Sequence, residues 1–137
     1  MGKVNQNNRI INSGSMLKIY SSSLEQKKNE SEYFLDVLND LKTRTIGDST
    51  KSLKVARFVQ EFHYLQRTIK RLLAETKNLH SNMAHETREL AQLNKSTYQN
   101  FLYLKEEMEN LENSFKEHKY LFRSFVSDFD YVHKNLA

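Results

Sequence analysis

The sequence predicts an elongated all-α protein built from a short N-terminal helix followed by one long coiled-coil helix whose register slips once. Three observations carry this. Its 137 residues contain no proline and only three glycines, so the residues that most strongly interrupt helices are nearly missing. Mean hydropathy is −0.75 and 38% of residues are hydrophobic, a poor endowment for a compact core and a suitable one for a rod. From about residue 50 onward, apolar residues recur every seven positions.

Residues 1–15 are polar, Asn-rich and aperiodic, which predicts a disordered tail. Residues 16–47 form the short helical segment. Leu17, Tyr20, Leu24, Phe34, Leu38 and Leu41 fall on one stripe, interrupted at Glu25–Glu30. One frayed helix and two short ones both fit that interruption. Ser22 with Glu25, and Ser23 with Gln26, have capping-box spacing and suit helix initiation. Lys42 and Arg44 suit a helix C-terminus, Gly47 can supply a left-handed cap, and Asp48 or Ser49 can cap the next helix.

Residues 48–137 form the long helix. Val55, Phe62, Ile69, Thr76, Met83 and Leu90 occupy a positions; Phe58, Leu65, Leu72, Leu79, Glu86 and Leu93 occupy d. All but Thr76 and Glu86 are apolar. A second frame places Phe101, Met108, Phe115, Phe122, Phe129 and Leu136 at a, and Leu104, Leu111, His118, Phe125 and Val132 at d. The frames are offset by four residues across 94–100, nearly one helical turn, which favours a stutter over the competing loop. A continuous helix over 50–133 would span about 125 Å. It would need partners along its length, and the seam residues just named are the predicted partner-helix interface. Bulky phenylalanines in the seam, with Val59, Leu73, Leu102, Tyr120, Leu121 and Val126 beside it, suit a mixed bundle better than a parallel dimer. Self-association and a hetero-oligomer both remain open.

Charge is unevenly spread. Lys51, Lys54, Arg57, Arg67, Lys70, Arg71 and Lys77 face only Glu61 and Glu75 along one stretch, whereas Glu106, Glu107, Glu109, Glu112 and Glu117 dominate another. The net charge of +4 is mild for a dedicated nucleic-acid binder. Arg67, Lys70 and Arg71 could meet phosphates of nucleic acid or acidic lipid, but a solvated face paired with acidic partner helices explains them more simply.

No catalytic, cofactor or metal site is expected. With no cysteine, disulfide-stapled and Cys-zinc folds are excluded. His80 and His85 are five apart, and His85-Glu86-Thr87-Arg88-Glu89 has a glutamate where a zinc helix needs its second histidine. His118 and Glu86 are read as register-fixing polar residues in the seam. Isolated glycines build no phosphate loop, and an amphipathic rod offers no concave pocket for an enzyme. No apolar run approaches the length of a membrane span, so a cytoplasmic protein is expected.

Arg57-Phe58-Val59-Gln60-Glu61-Phe62, followed by Asn82-Met83-Ala84-His85-Glu86-Thr87-Arg88-Glu89, resembles the Muted family, one subunit of the biogenesis of lysosome-related organelles complex. The lead-in Leu38-Asn39-Asp40-Leu41-Lys42-Thr43-Arg44 is similar to the family's short preceding helix. The resemblance covers about residues 38–93. It implies a non-catalytic coiled-coil subunit working in endosomal sorting toward organelles such as pigment granules, peripheral on endosomes. Expected partners are the other small helical subunits Pallidin, Dysbindin, Snapin and Cappuccino. A helical part of a cytoskeletal, kinetochore or ciliary-transport assembly is the alternative, and a nucleic-acid-binding helical protein the third.

Overall fold

The computed structural model describes residues 2–90 and 93–136, with side chains described for 12–88 and 93–129. Three helices of near-equal length follow one another among the described residues: α1 (Gly2–Arg44), α2 (Ser49–Leu90) and α3 (Lys95–Leu136). Each is about 63 Å long. They run up, down and up. Phe34 of α1 meets Phe62 of α2 and Phe122 of α3, while Tyr20 of α1 stacks near Phe101 of α3, so α1 and α3 are parallel and α2 is antiparallel to both.

The all-α class is as expected, but its arrangement differs in three ways. Helix α1 is not short: it begins at Gly2, so the segment 1–15 expected as a tail is helical from there. Its polar run at 25–30 does not break it either. Ser13 and Ser31 continue the buried stripe of Leu17, Tyr20, Leu24, Phe34, Leu38 and Leu41, with small side chains sitting where larger polar ones could not be enclosed. The Ser31 hydroxyl donates to the Lys28 carbonyl at 2.9 Å, satisfying the polar atom this burial isolates.

The third difference is larger. The single long helix expected over 48–137 is two helices, and the four-residue offset of the heptad frames is a reversal between Leu90 and Lys95 rather than a stutter. Residues 95–100 lie inside α3. The physical reason is closure: two amphipathic halves of equal length bury their stripes against each other and α1, whereas a straight rod would leave both bare.

Local chemistry fixes the two reversals. At the first, Gly47 takes φ 91°, the left-handed conformation expected of it. Asp48 Oδ1 accepts the Lys51 N–H at 3.1 Å, the N-cap bond of α2. Buried Thr45 is tied across the turn by the Ser52 hydroxyl, which donates to its carbonyl at 2.9 Å. At the second, Asn94 Oδ1 accepts the Ser96 N–H at 3.2 Å. Glu86 of α2 reaches over to accept the Asn94 N–H at 3.0 Å and the Thr97 hydroxyl at 2.5 Å. A carboxylate at a helix N-terminus is favoured by both the free N–H groups and the helix dipole. Glu86 therefore starts α3, which explains a glutamate in the heptad seam.

Spin labels on exposed Lys54 and Ser124 distinguish bundle from rod. In the bundle both lie at the end where Lys51 sits over the Phe129 ring, so pulsed electron resonance should read a short separation. A distance near 105 Å, the rise of about seventy helical residues, would restore the rod.

Candidate functional site

The predicted seam forms the interior of the bundle. Val55, Phe62, Leu65, Ile69, Leu72, Leu79, Met83, Leu93, Phe101, Leu104, Met108, Leu111, Phe115, Phe122 and Phe129 are buried, and Phe58 and Phe125 are partly buried against them. The Leu90 side chain and residues Val132 and Leu136 lie outside the residues whose side chains are described. The heptads predict that helices of other subunits cover this seam; in the structure, the covering helices belong to the same chain.

Phe34, Phe58, Phe62, Phe122 and Phe125 form one aromatic cluster with ring centroids 4.9–5.8 Å apart. Tilted and edge-on ring geometries of this kind add to the apolar burial. Phe122 sits at its centre, against Phe34, Phe58 and Phe62, and Phe34 joins it from α1, although the interrupted stripe of α1 gave it no such weight. Within the Muted-like segments, Phe62 and Met83 are core, Glu61 Oε2 faces His118 Nε2 at 3.5 Å, and the Thr87 hydroxyl donates to the Met83 carbonyl at 2.7 Å. His118 Nδ1–H donates to the Ser114 carbonyl at 2.7 Å.

Polar contacts between helices set the register. Lys27 projects from the core face of α1, its side chain 12% exposed, with Nζ 2.7 Å from Glu112 Oε1 of α3. It also donates to Ser23 Oγ at 2.7 Å and lies over the Phe115 ring. The Ser23 hydroxyl donates to the same Glu112 oxygen at 2.8 Å. Glu30 and Lys119 pair at 2.7 Å one helical step further along. Arg71 bridges Glu75 at 2.9 Å and Glu107 at 2.7 Å. The acidic helix expected from a partner is thus the chain's own α3, at least for Arg71.

Among the described residues, one carboxyl and one phenol are clearly shifted. Desolvation raises the Glu112 carboxyl, but the hydrogen bonds from Lys27 and Ser23 and the lysine charge outweigh it, leaving a net value below the usual range. Burial, reinforced by Glu109, pushes the Tyr20 phenol up.

Two open grooves flank the core. Between α1 and α3, Tyr33, Phe34, Val37, Leu41, Phe122 and Val126 line about 740 Å³, with Asp40, Arg44, Arg123 and Ser127 at the rim. Between α1 and α2, a second groove of about 610 Å³ is lined by Leu35, Val55, Ala56 and Val59 together with Asp36, Asn39, Gln60 and His63. Among the described residues, no three His, Cys, Asp or Glu side chains converge to hold a metal ion. Among the same residues, no helix is long and apolar enough to cross a membrane.

No family model, curated protein or solved structure matches this chain.

Two outcomes check these assignments. Leu72 is fully buried, so Leu72→Asp should lower stability by about 4 kcal/mol or more in urea melts of the isolated chain, while exposed Lys77→Ala should leave it nearly unchanged. Because the folded value of Glu112 lies below its unfolded value of about 4.3, its contribution is present above that pH and lost as pH falls through the folded value. Glu112→Gln should therefore be less stable than the parent at neutral pH, with the gap closing below about pH 4.

Proposed function

We propose that this chain is a non-catalytic helical subunit of a hetero-oligomeric complex that acts in endosomal sorting and the biogenesis of lysosome-related organelles. The Muted-like segments supply the cellular context. The observation that carries the subunit reading is the groove between α1 and α3.

An α1/α3 groove is straight because its two walls are parallel helices. Its floor is the aromatic pair Phe34 and Phe122, with ring centroids 4.9 Å apart; its walls are Tyr33, Val37, Leu41 and Val126; and its ends are polar. From Tyr33 to Arg44 it runs for about three turns of helix, about 17 Å. A fourth amphipathic helix, anchored by apolar residues at i, i+3 or i+4 and i+7, is the partner such a surface suits. Tyr33, 65% exposed, gives that partner an aromatic contact with a polar tip, the residue type most often found to dominate interface energetics.

Purification of a tagged chain from its native cells at mild salt, followed by mass spectrometry, tests the reading. Recovery of small helical proteins such as Pallidin, Dysbindin, Snapin or Cappuccino is expected. Cytoskeletal, kinetochore or ciliary partners would keep the subunit and discard the sorting role. A paired Tyr33→Glu and Arg123→Glu variant, both at exposed positions, should keep its helical circular dichroism yet recover partners about tenfold less well. Unchanged recovery would remove the groove from the interface.

A further inference from the structure

Helix α2 carries its charge in a way the other two do not. In the register set by Phe62, Ile69, Thr76 and Met83 facing the core, the outward b, c and f positions between Arg57 and Arg88 hold no acidic residue. The three carboxylates in that stretch are all turned to α3. Glu61 faces His118, Glu75 is held by Arg71, and Glu86 caps the start of α3. Arg71 is consumed in the same way by Glu75 and Glu107. What remains on the outer face is Arg57, which shares a groove with Glu61 and Asp128, and then Arg67, Lys70, Lys77 and Arg88, all exposed and none in an ion pair among the described residues.

Elsewhere the exposed charges alternate in sign. Helix α1 presents Glu25, Glu32 and Asp36 among Lys18, Lys28 and Lys42, and α3 presents Glu106, Glu109 and Glu117 among Lys105, Lys116 and Arg123. The excess positive charge of the molecule is therefore concentrated on one side of the rod. It extends from Arg67 to Arg88, about 32 Å along the helix.

We propose that this outer face of α2, carried by Arg67, Lys70, Lys77 and Arg88, is an electrostatic docking surface for an anionic lipid bilayer. Three features choose the bilayer over nucleic acid. Between the cations stand the short, exposed side chains of Ala74, Ser81 and Ala84, which leave the long basic side chains free to reach an array of headgroups. One exposed ring, Tyr64, stands at the end of the face with Arg67 6.0 Å from its centroid, and from Arg67 to Arg88 there is no Phe, Tyr or Trp, so successive unpaired bases find no run of rings to stack on. The net charge of +4 is also mild for a dedicated nucleic-acid binder. With Tyr64 alone beside Arg67 and no large exposed apolar side chain among Lys70, Lys77 and Arg88 in the described residues, the contact is an adsorption to the headgroups and not an insertion.

This surface lies apart from the α1/α3 groove, so it neither needs nor excludes the partner helix proposed above. Co-sedimentation of the full chain with phosphatidylcholine vesicles, with and without phosphatidylserine, tests it. Binding is expected only with phosphatidylserine, and should fall steeply between about 0.1 and 1 M salt as the Debye length shrinks from about 10 to 3 Å. Each basic side chain near such a surface contributes about fivefold, so the triple variant Arg67→Gln, Lys70→Gln, Lys77→Gln should bind about 100-fold more weakly. Removing the same number of charges from α3 with Lys105→Gln, Lys116→Gln and Arg123→Gln should cost only a few-fold. Equal losses in the two triple variants, no binding to phosphatidylserine vesicles, or tighter binding to duplex DNA or RNA than to vesicles at matched salt would each overturn the proposal. Partner recovery from cells is a separate readout and fails separately.

Discussion

Everything in this molecule depends on closing an apolar stripe that no single helix can hide. A helix of more than forty residues with a heptad seam is unstable alone, because its own hydrogen bonds do not compensate for the exposure of the seam. Three such helices of matched length solve the problem within one chain, and the match matters. Helices α1, α2 and α3 have 43, 42 and 42 residues, so each is long enough to cover most of its neighbours' stripes. The reversals then need to be sharp, and both are built from a small set of groups. Gly47 and Asp48 make the first; Glu86, Asn94 and Thr97 make the second.

Polar residues inside the seam have a different task. A stripe of Leu, Phe and Met would let three helices slide by a heptad at little cost, since one apolar layer resembles the next. Lys27 removes that freedom for α1 and α3. Its partly buried ammonium is held by Glu112 and Ser23, and a slip of one heptad would bring Lys105 or Lys119 to the place of Glu112 and leave it facing a like charge. Thr76 and Ser31 do less, since each closes its hydroxyl onto its own helix, Thr76 at 2.7 Å to the Leu72 carbonyl. They allow close packing without specifying a neighbour. The polar interruption in the α1 stripe is thus the place where register is written.

The helices and their core faces were legible in the sequence, because heptad spacing is a local property: each of Phe62, Ile69, Leu72 and Phe122 states by its spacing that it faces inward. Gly47 and Asp48 were legible for the same reason, since a left-handed glycine followed by a capping aspartate is local chemistry. The second reversal was not. A four-residue offset is nearly one helical turn and fits a continuous helix as well as a corner, and no glycine or proline stands at 91–94 to decide. The signal that could have found it is Glu86, a carboxylate in an apolar seam eight residues before Asn94, which reads as a cap only when α3 is known to begin there. The start of α1 was hidden too, because Asn and Ser favour loops on their own.

Covering the seam internally changes what the surface is free to do. Residues that a rod would present to other subunits, Phe62 and Leu72 among them, are fully covered, so recognition must use what the bundle leaves outside. The antiparallel α2 is flanked on both sides, and its carboxylates are drawn to α3, which strips its outer face of negative charge. The parallel pair α1 and α3 is held at a distance by long ionic side chains, Lys27 to Glu112 and Glu30 to Lys119, along its middle. Beyond Glu30 those bridges stop, the gap persists, and its walls turn apolar from Tyr33 to Leu41. Both outward features therefore arise from one cause: the polar pairs that fix the register also decide which charges are neutralised and which pair of helices stays apart.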